Sequence, residues 1–245
     1  MPVPGRPRYR RFAVFDLAQC IEDWNFPDPA QADAEGLLAW GGDLRPERLI
    51  SGYARGIFPW YEAEPILWFS PDPRWVLEPS RLHVSRSLRR RIREARFELR
   101  FDTAFREVIE ACAAVPRPGQ AGTWITPEMV DAYVALHEKG VAHCVESWRD
   151  GQLVGGVYGV SLGAAFFGES MFALETDASK VAFVTLVERL QSFDFRLVDC
   201  QVQTDHLTRF GAEAWPRQRF LEVLGEVLRA PTVEGPWTLG RPLPG

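Results

Sequence analysis

Two short stretches put polar and charged side chains where apolar ones are the rule. Glu169 follows Phe166-Phe167-Gly168, and Asp199 follows Leu197-Val198. An unpartnered polar group in such surroundings costs about 2–7 kcal/mol. Each carboxylate is therefore either a hydrogen-bonded anchor or a working group in a site. Alternation along a strand puts Asp199 and Gln201 on one face, with Cys200 on the other. Glu169 and Met171 share a face of their own strand. If the two strands are near neighbours, Glu169, Asp199 and Gln201 converge on one cleft. That cleft offers donors and acceptors but no nucleophile. Ser170 in Gly168-Glu169-Ser170-Met171-Phe172 is not a G-x-S-x-G elbow, and Cys200 reads as a packed core thiol. Such a site suits a substrate that arrives activated and needs positioning. A hydrogen-bond network that only fixes the sheet explains the same residues equally well.

Other chemistries lack their signatures. There is no G-x-x-x-x-G-K-[ST] and no strand-linked G-x-G-x-x-G, so neither ATP nor NAD is expected. Gly155, Gly156 and Gly159 fall on an expected strand, where glycine marks a bulge or close backbone approach. The His residues at 83, 137, 143 and 206 and the Cys residues at 20, 112, 144 and 200 make no ligand spacing, so no metal is expected and the cysteines read as free thiols. The arginine-bearing N-terminus has no apolar run of the signal-peptide kind, and no stretch reads as a membrane span. A cytoplasmic monomer is expected.

The chain of 245 residues carries a net charge of −5, which argues against bulk affinity for nucleic acid. The charge is unevenly spread, however. Residues 74–100 hold nine Arg against three Glu. Arg86, Arg89, Arg90, Arg91 and Arg93 fall within one expected helix. A solvated helix face is the commoner meaning of such a run.

The elements that must position these groups follow from period and punctuation. Residues 1–45 read as loop-rich. Pro46 to Arg55 reads as a helix stopped by Gly56. The aromatic stretch from Gly56 to Trp75 reads as irregular, and long aromatic loops are usually functional. Then follow a helix capped by Ser85, a strand over Phe97–Phe101, and a helix capped by Asp102. Thr126-Pro127 opens a helix that Gly140 ends. A hairpin follows, turning at Asp150-Gly151. Next come a strand over Ala164–Phe172, a helix over Ala178–Phe193, a strand over Phe195–Gln201 and a helix over Arg217–Arg229. The tail from Pro231 reads as irregular. This order predicts an α/β (α+β) fold on a mixed sheet.

Several segments together resemble the leucyl/phenylalanyl-tRNA–protein transferase family. They are Gly36-Leu37-Leu38-Ala39, Gly41-Gly42-Asp43-Leu44, Gly56-Ile57-Phe58-Pro59-Trp60, Trp68-Phe69-Ser70-Pro71-Asp72-Pro73-Arg74 and Thr123-Trp124-Ile125, then Gly168 to Phe172, Ala178-Ser179-Lys180 and Asp199-Cys200-Gln201. The ordered set spans about residues 26–225. The resemblance implies a small N-terminal domain (1–73), an acetyltransferase-like (GNAT) catalytic domain (74–230) and a tail (231–245). It implies transfer of Leu or Phe, and less readily Met, from aminoacyl-tRNA to proteins beginning with Arg or Lys, which creates an N-end-rule degradation signal, with no cofactor. By the same resemblance Asp199 and Gln201 are the catalytic pair and Glu169 contacts the ester region. Trp60 and Trp124 hold the terminal adenosine, with Tyr53 and Tyr133 nearby. Val157, Phe166, Phe183, Leu186 and Val198 form the aminoacyl pocket.

Elementary chemistry agrees with that activity. Aminolysis of an ester runs downhill without ATP. The α-amine, with a pKa of about 7.7–8.0, is partly neutral near pH 7. Asp199 would then orient the amine rather than act as a strong base. The Arg cluster at 86–93 becomes a track for the tRNA backbone. Two rivals remain at this stage. An acetyl-CoA enzyme would need a pyrophosphate loop, and Gln152-Leu153-Val154-Gly155-Gly156-Val157 misses it at the last position. A non-catalytic RNA-binding module would leave Asp199 and Gln201 without a purpose.

Overall fold

A computed structural model describes residues 15–16, 26–115 and 124–238. Cys20, Thr123 of the quoted Thr-Trp-Ile motif and the last residues of the tail lie outside the described residues. The larger sheet has the order β11 (Glu213–Trp215), β5 (Arg74–Leu77), β10 (Leu197–Gln201), β9 (Ala165–Ala173), β8 (Gln152–Leu162), β7 (Ala142–Arg149), β6 (Glu98–Phe101). Among the described residues of this sheet, β9 and β10 run parallel and the other pairs are antiparallel. A parallel pair needs a crossover, and α5 (Ala178–Ser192) supplies it. The mixed α/β sheet read from the sequence is the one observed.

Alternation along these strands sorts the core into two layers. Cys144, Tyr158, Phe167 and Leu197 face one cluster with α3 (Phe105–Ala114), α4 (Pro127–Glu138) and α7 (Arg217–Val227). Val145, Val157, Phe166 and Val198 face the other, with α2 (Arg86–Arg93) and α5. The first cluster continues into α1 (Pro46–Tyr53) and a second sheet, of order β1 (Phe15–Asp16), β2 (Leu37–Trp40), β4 (Leu67–Phe69), β3 (Phe58–Pro59).

That second sheet corrects the reading of residues 1–45 and 56–75 as irregular. Its strands are two to four residues long, too short to show a period in sequence. Tertiary contacts hold them instead. Trp68 is fully buried, donates its indole N–H to the Gly41 carbonyl at 3.0 Å and meets the Phe26 ring edge-on at 4.8 Å.

Local signals placed most helix starts. Ser85 accepts from the Leu88 amide at 3.3 Å, and Thr126 from the Met129 amide at 3.3 Å. Asp102, read as the cap of α3, is not one. It sits at φ 57°, and its carboxylate accepts from the amides of Cys144 (2.8 Å) and Trp237 (2.6 Å) and meets His143 Nδ1 at 2.8 Å. The start of α3 is served from β7, where Glu146 accepts from the amides of Thr103 (2.7 Å) and Ala104 (2.9 Å). The short helix α6 (Asp205–Arg209) and β11 were not read from the sequence. The tail forms no regular element over 231–238, yet its Trp237 is buried and stacked on His143 at 3.7 Å.

No helix among the described residues is long and apolar enough to cross a membrane.

The glycines of β8 mark close approach. A Cβ on Gly159 would lie 2.2 Å from the Phe167 carbonyl oxygen and 2.6 Å from the Phe166 ring. Gly159→Ala is expected to cost about 1–3 kcal/mol through forced shifts of the sheet. Urea denaturation measures this, and an unchanged midpoint would mean that β8 and β9 can separate freely.

Candidate active site

The register of β9 against β10 pairs Phe167 with Asp199. Two residues further along each strand come Glu169 and Gln201. Both strands depart from regular pairing here. The β8–β9 ladder slips between Tyr158 and Gly159, leaving Glu169 unpaired, and the β10–β5 ladder slips between Asp199 and Gln201. Gln201 takes a left-handed φ of 61°. Bulges of this kind re-aim a side chain, and here the result is a direct contact. Gln201 Nε2 donates to Glu169 Oε1 at 2.8 Å.

Two phenols complete the setting of Glu169. Tyr53, at the end of α1, donates to Oε1 at 2.7 Å. Tyr133, in α4, donates to Oε2 at 3.0 Å. The two phenolic oxygens also lie within hydrogen-bond distance of each other, but each phenol carries a single proton, which these contacts commit to Glu169. Burial, and then the charge of Glu169, pushes both phenols well above their usual range, so they stay protonated donors. Burial pushes Glu169 itself up to about 7. The bonds from Tyr53, Tyr133 and Gln201 oppose that rise, and the nearby charge of Asp199 adds to it.

Asp199 stands elsewhere than the sequence reading put it. Its carboxylate is fully buried and bound bidentately by Arg74, Nε to Oδ1 at 2.7 Å and Nη2 to Oδ2 at 2.6 Å. Oδ1 also accepts from the Gln201 amide at 2.9 Å. The Arg74 guanidinium lies between the rings of Phe58 and Phe220, at 4.8 and 4.7 Å from their centroids. Asp199 is therefore not among the groups that line the cleft, and both its oxygens are taken up by Arg74 and the Gln201 amide. Arg74 was missed as a site residue. It did carry a signal, because it is a charge opening the apolar run Trp75-Val76-Leu77, the same anomaly that marked Glu169 and Asp199.

Glu169 and Gln201 face a cleft of about 450 Å³. Val157, Phe166, Phe183, Leu186 and Val198 all line it, as do Trp60 and Trp124. Trp60 is 38% exposed and meets the Phe69 ring in a T-shaped contact at 5.5 Å. Tyr53 and Tyr133 are not of this group. Both are fully buried and packed against Phe167 and Tyr158, so neither offers a face to a ligand. Cys200 lines the cleft, but burial pushes its thiol far up, away from the thiolate form that attacks. Among the described residues no group of His, Cys, Asp and Glu is placed to hold a metal.

The five arginines lie on α2, away from this lining. Arg86, Arg89, Arg90 and Arg93 are exposed and Arg91 partly so. Arg89 Nε donates to the Val84 carbonyl, Arg90 and Arg91 lie near Glu94, and Arg91 lies 3.9 Å from Asp177.

Two consequences can be measured. Arg74→Met leaves the Asp199 carboxylate buried without a cation, with an expected loss of about 3–5 kcal/mol. A loss under about 1 kcal/mol in urea denaturation would show that the pair does not hold the sheet. The second concerns pH. A carboxyl raised from 4.5 to about 7 keeps its proton in the folded state where the unfolded chain has released it. Its contribution to stability is full below the lower value and is lost as pH rises through the higher one. Glu169→Gln is expected to shrink the fall in unfolding free energy between about pH 5 and pH 8; an identical fall in both proteins would refute the assignment.

The leucyl/phenylalanyl-tRNA protein transferase family model matches residues 76–225, and the model of that family's N-terminal domain matches residues 42–72. The chain is 65% identical over 216 residues to the leucyl/phenylalanyl-tRNA–protein transferase of Myxococcus xanthus (strain DK1622), covering 88% of this chain and 92% of that one. It is 56% identical over 227 residues to the protein of the same name from Desulfatibacillum aliphaticivorans, covering 92% and 96%. Among solved structures, a GCN5-related N-acetyltransferase from Kribbella flavida matches with a TM-score of 0.34 and 15% identity, over 67% of this chain and 59% of that one, a likeness that carries no argument. On the extent and identity of the sequence matches, the chain belongs to the leucyl/phenylalanyl-tRNA–protein transferase family.

Proposed function

We propose that this protein transfers Leu or Phe, and less readily Met, from aminoacyl-tRNA to the α-amine of proteins that begin with Arg or Lys, marking them for N-end-rule degradation in the cytoplasm. One observation carries the reading: a buried carboxylate and a carboxamide, Glu169 and Gln201, bonded to each other at the edge of an apolar cleft that also holds two tryptophans.

The step is an aminolysis. The amine nitrogen attacks the ester carbonyl carbon, a C–N bond forms, and the bond to the ribose oxygen breaks. The proton lost by the amine ends on the departing ribose hydroxyl. With Gln201 Nε2 committed to Glu169, its Oε1 remains to accept from the amine and hold it in line. Glu169, when ionised, offsets the positive charge that grows on the attacking nitrogen. Asp199 acts one step back, as a positioning residue. It fixes the Gln201 backbone and is itself fixed by Arg74.

The pocket of Val157, Phe166, Phe183, Leu186 and Val198 takes the aminoacyl side chain. It discriminates by fit, where one methylene is worth about 1–3 kcal/mol, so Leu, Phe and Met are graded rather than sharply separated. The adenine stacks on Trp60 and Trp124, at about 1–3 kcal/mol per ring. No cofactor is needed, since the ester arrives activated.

The direct test supplies phenylalanyl-tRNA and a peptide beginning with Arg, and reads N-terminal extension by mass. One added Phe is expected. Gln201→Ala should lower kcat by about 10²-fold or more, as loss of a positioning contact does, with KM for the tRNA little changed. Full turnover in that variant would remove Gln201 from the mechanism. Affinity for tRNA should fall steeply with salt, by a slope of about 0.7–0.9 per phosphate contacted. Replacing Arg86, Arg90 and Arg93 should flatten that slope, and an unaltered slope would take α2 off the RNA path.

A further inference from the structure

A second cavity, of about 560 Å³, opens where α2, α5 and α6 begin. Its walls include His83, Ser87, Lys180, His206 and Arg209, with Asp177 as the acidic member. The charge of Asp177 is already answered, by Lys180 Nζ at 2.6 Å and Arg91 Nε at 3.9 Å. Arg209 is exposed and has no ion pair among the described residues. His206 Nε2 is out of contact with water and lacks a hydrogen-bond partner. Burial, then the charges of Lys180 and Arg209, pulls His206 below its usual value. Lys180 and Arg91 thus share the single charge of Asp177 and Arg209 adds one more, so the hollow keeps an excess of positive charge that an anion would offset.

His206 lines both cavities, so the hollow adjoins the aminoacyl cleft. On its other side the hollow reaches the start of α2, the arginine-rich helix. An anion that occupied it would therefore sit between the two. We propose that this cavity binds a backbone phosphate of the nucleic acid whose terminal aminoacyl-adenosine lies in the first cleft, with Lys180 and Arg209 as its ligands and His206 beside them in the wall. The assignment rests on the aminoacyl-tRNA reading above. A free inorganic phosphate offers the same chemistry, and the experiment separates the two.

Two substrates are compared on the full-length protein: phenylalanyl-adenosine, with no phosphate, and a phenylalanyl cytidylyl-adenosine dinucleotide, with one phosphodiester. The ratio of their kcat/KM values isolates the phosphate. The parent protein is expected to favour the dinucleotide. Lys180→Gln and Arg209→Gln are each expected to cut that preference, together by about tenfold, the scale of a charge-assisted contact. Arg209→Gln guards against a folding artefact, since Lys180 also braces the start of α5. In a parallel measurement, inorganic phosphate should shift the ring NMR signals of His83 and His206 in the parent and not in the double variant. An equal substrate ratio in parent and variants overturns the proposal. Shifted His signals with an equal ratio would assign the cavity to free phosphate and equally overturn it. If the parent uses neither substrate, the functional reading fails. The NMR titration then decides the cavity alone: absent shifts overturn the anion site.

Discussion

An arginine and an aspartate sealed from water hold the middle of this protein in register. Arg74 opens β5, Asp199 lies on β10, and their bidentate contact joins the strand that follows the small sheet to the strand that carries Gln201. Neither charge can be removed alone without leaving the other unpaired in a low-dielectric interior. The rings of Phe58, from the small sheet, and Phe220, from α7, close over the guanidinium. One ion pair thus gathers four elements around the point where the ladder slips. The slip turns Gln201 toward Glu169.

Around that point the protein combines two contrasting environments. On one side of Glu169 lie two fully buried tyrosines whose hydroxyls donate to it. On the other lies a cleft of apolar side chains wide enough for a hydrophobic residue. The desolvation that raises Glu169 to about 7 is partly offset by its three donors. The group is therefore poised between charged and neutral forms near neutrality, where an amine with an ordinary pKa is also beginning to lose its proton. A strong base is not built into the site, which is consistent with an ester that needs only a well-placed amine.

Placement decided how much of this was legible in the sequence. Helices with a Ser or Thr cap, a Pro at the first turn or a terminal glycine were read near their observed bounds, because those signals act within a few residues. Strands of eight or more residues, such as β7, β8 and β9, showed their period and their Asp150-Gly151 turn. The small sheet was invisible, because strands of two to four residues have no period and stand by packing around Trp68. The cap of α3 was misassigned to Asp102, because the carboxylate that serves it, Glu146, comes from β7 more than forty residues away.

By itself the sequence determined which residues were out of place in a core: Glu169, Asp199 and Gln201 within apolar runs. Those are statements about the cost of burial, and they hold wherever the strands go. Only the tertiary structure decided what each group faces. Strict alternation would have sent Asp199 and Gln201 to the same opening. The bulge between them, with Gln201 in a left-handed conformation, separates the two instead. Asp199 is drawn to Arg74, 125 positions earlier in the chain. Separations of 116 and 36 positions likewise hid the bonds of Tyr53 and Tyr133, which meet Glu169 from helices α1 and α4. Side-chain direction at a bulge depends on the neighbouring strand, and a neighbouring strand is a property of the fold, not of the local sequence.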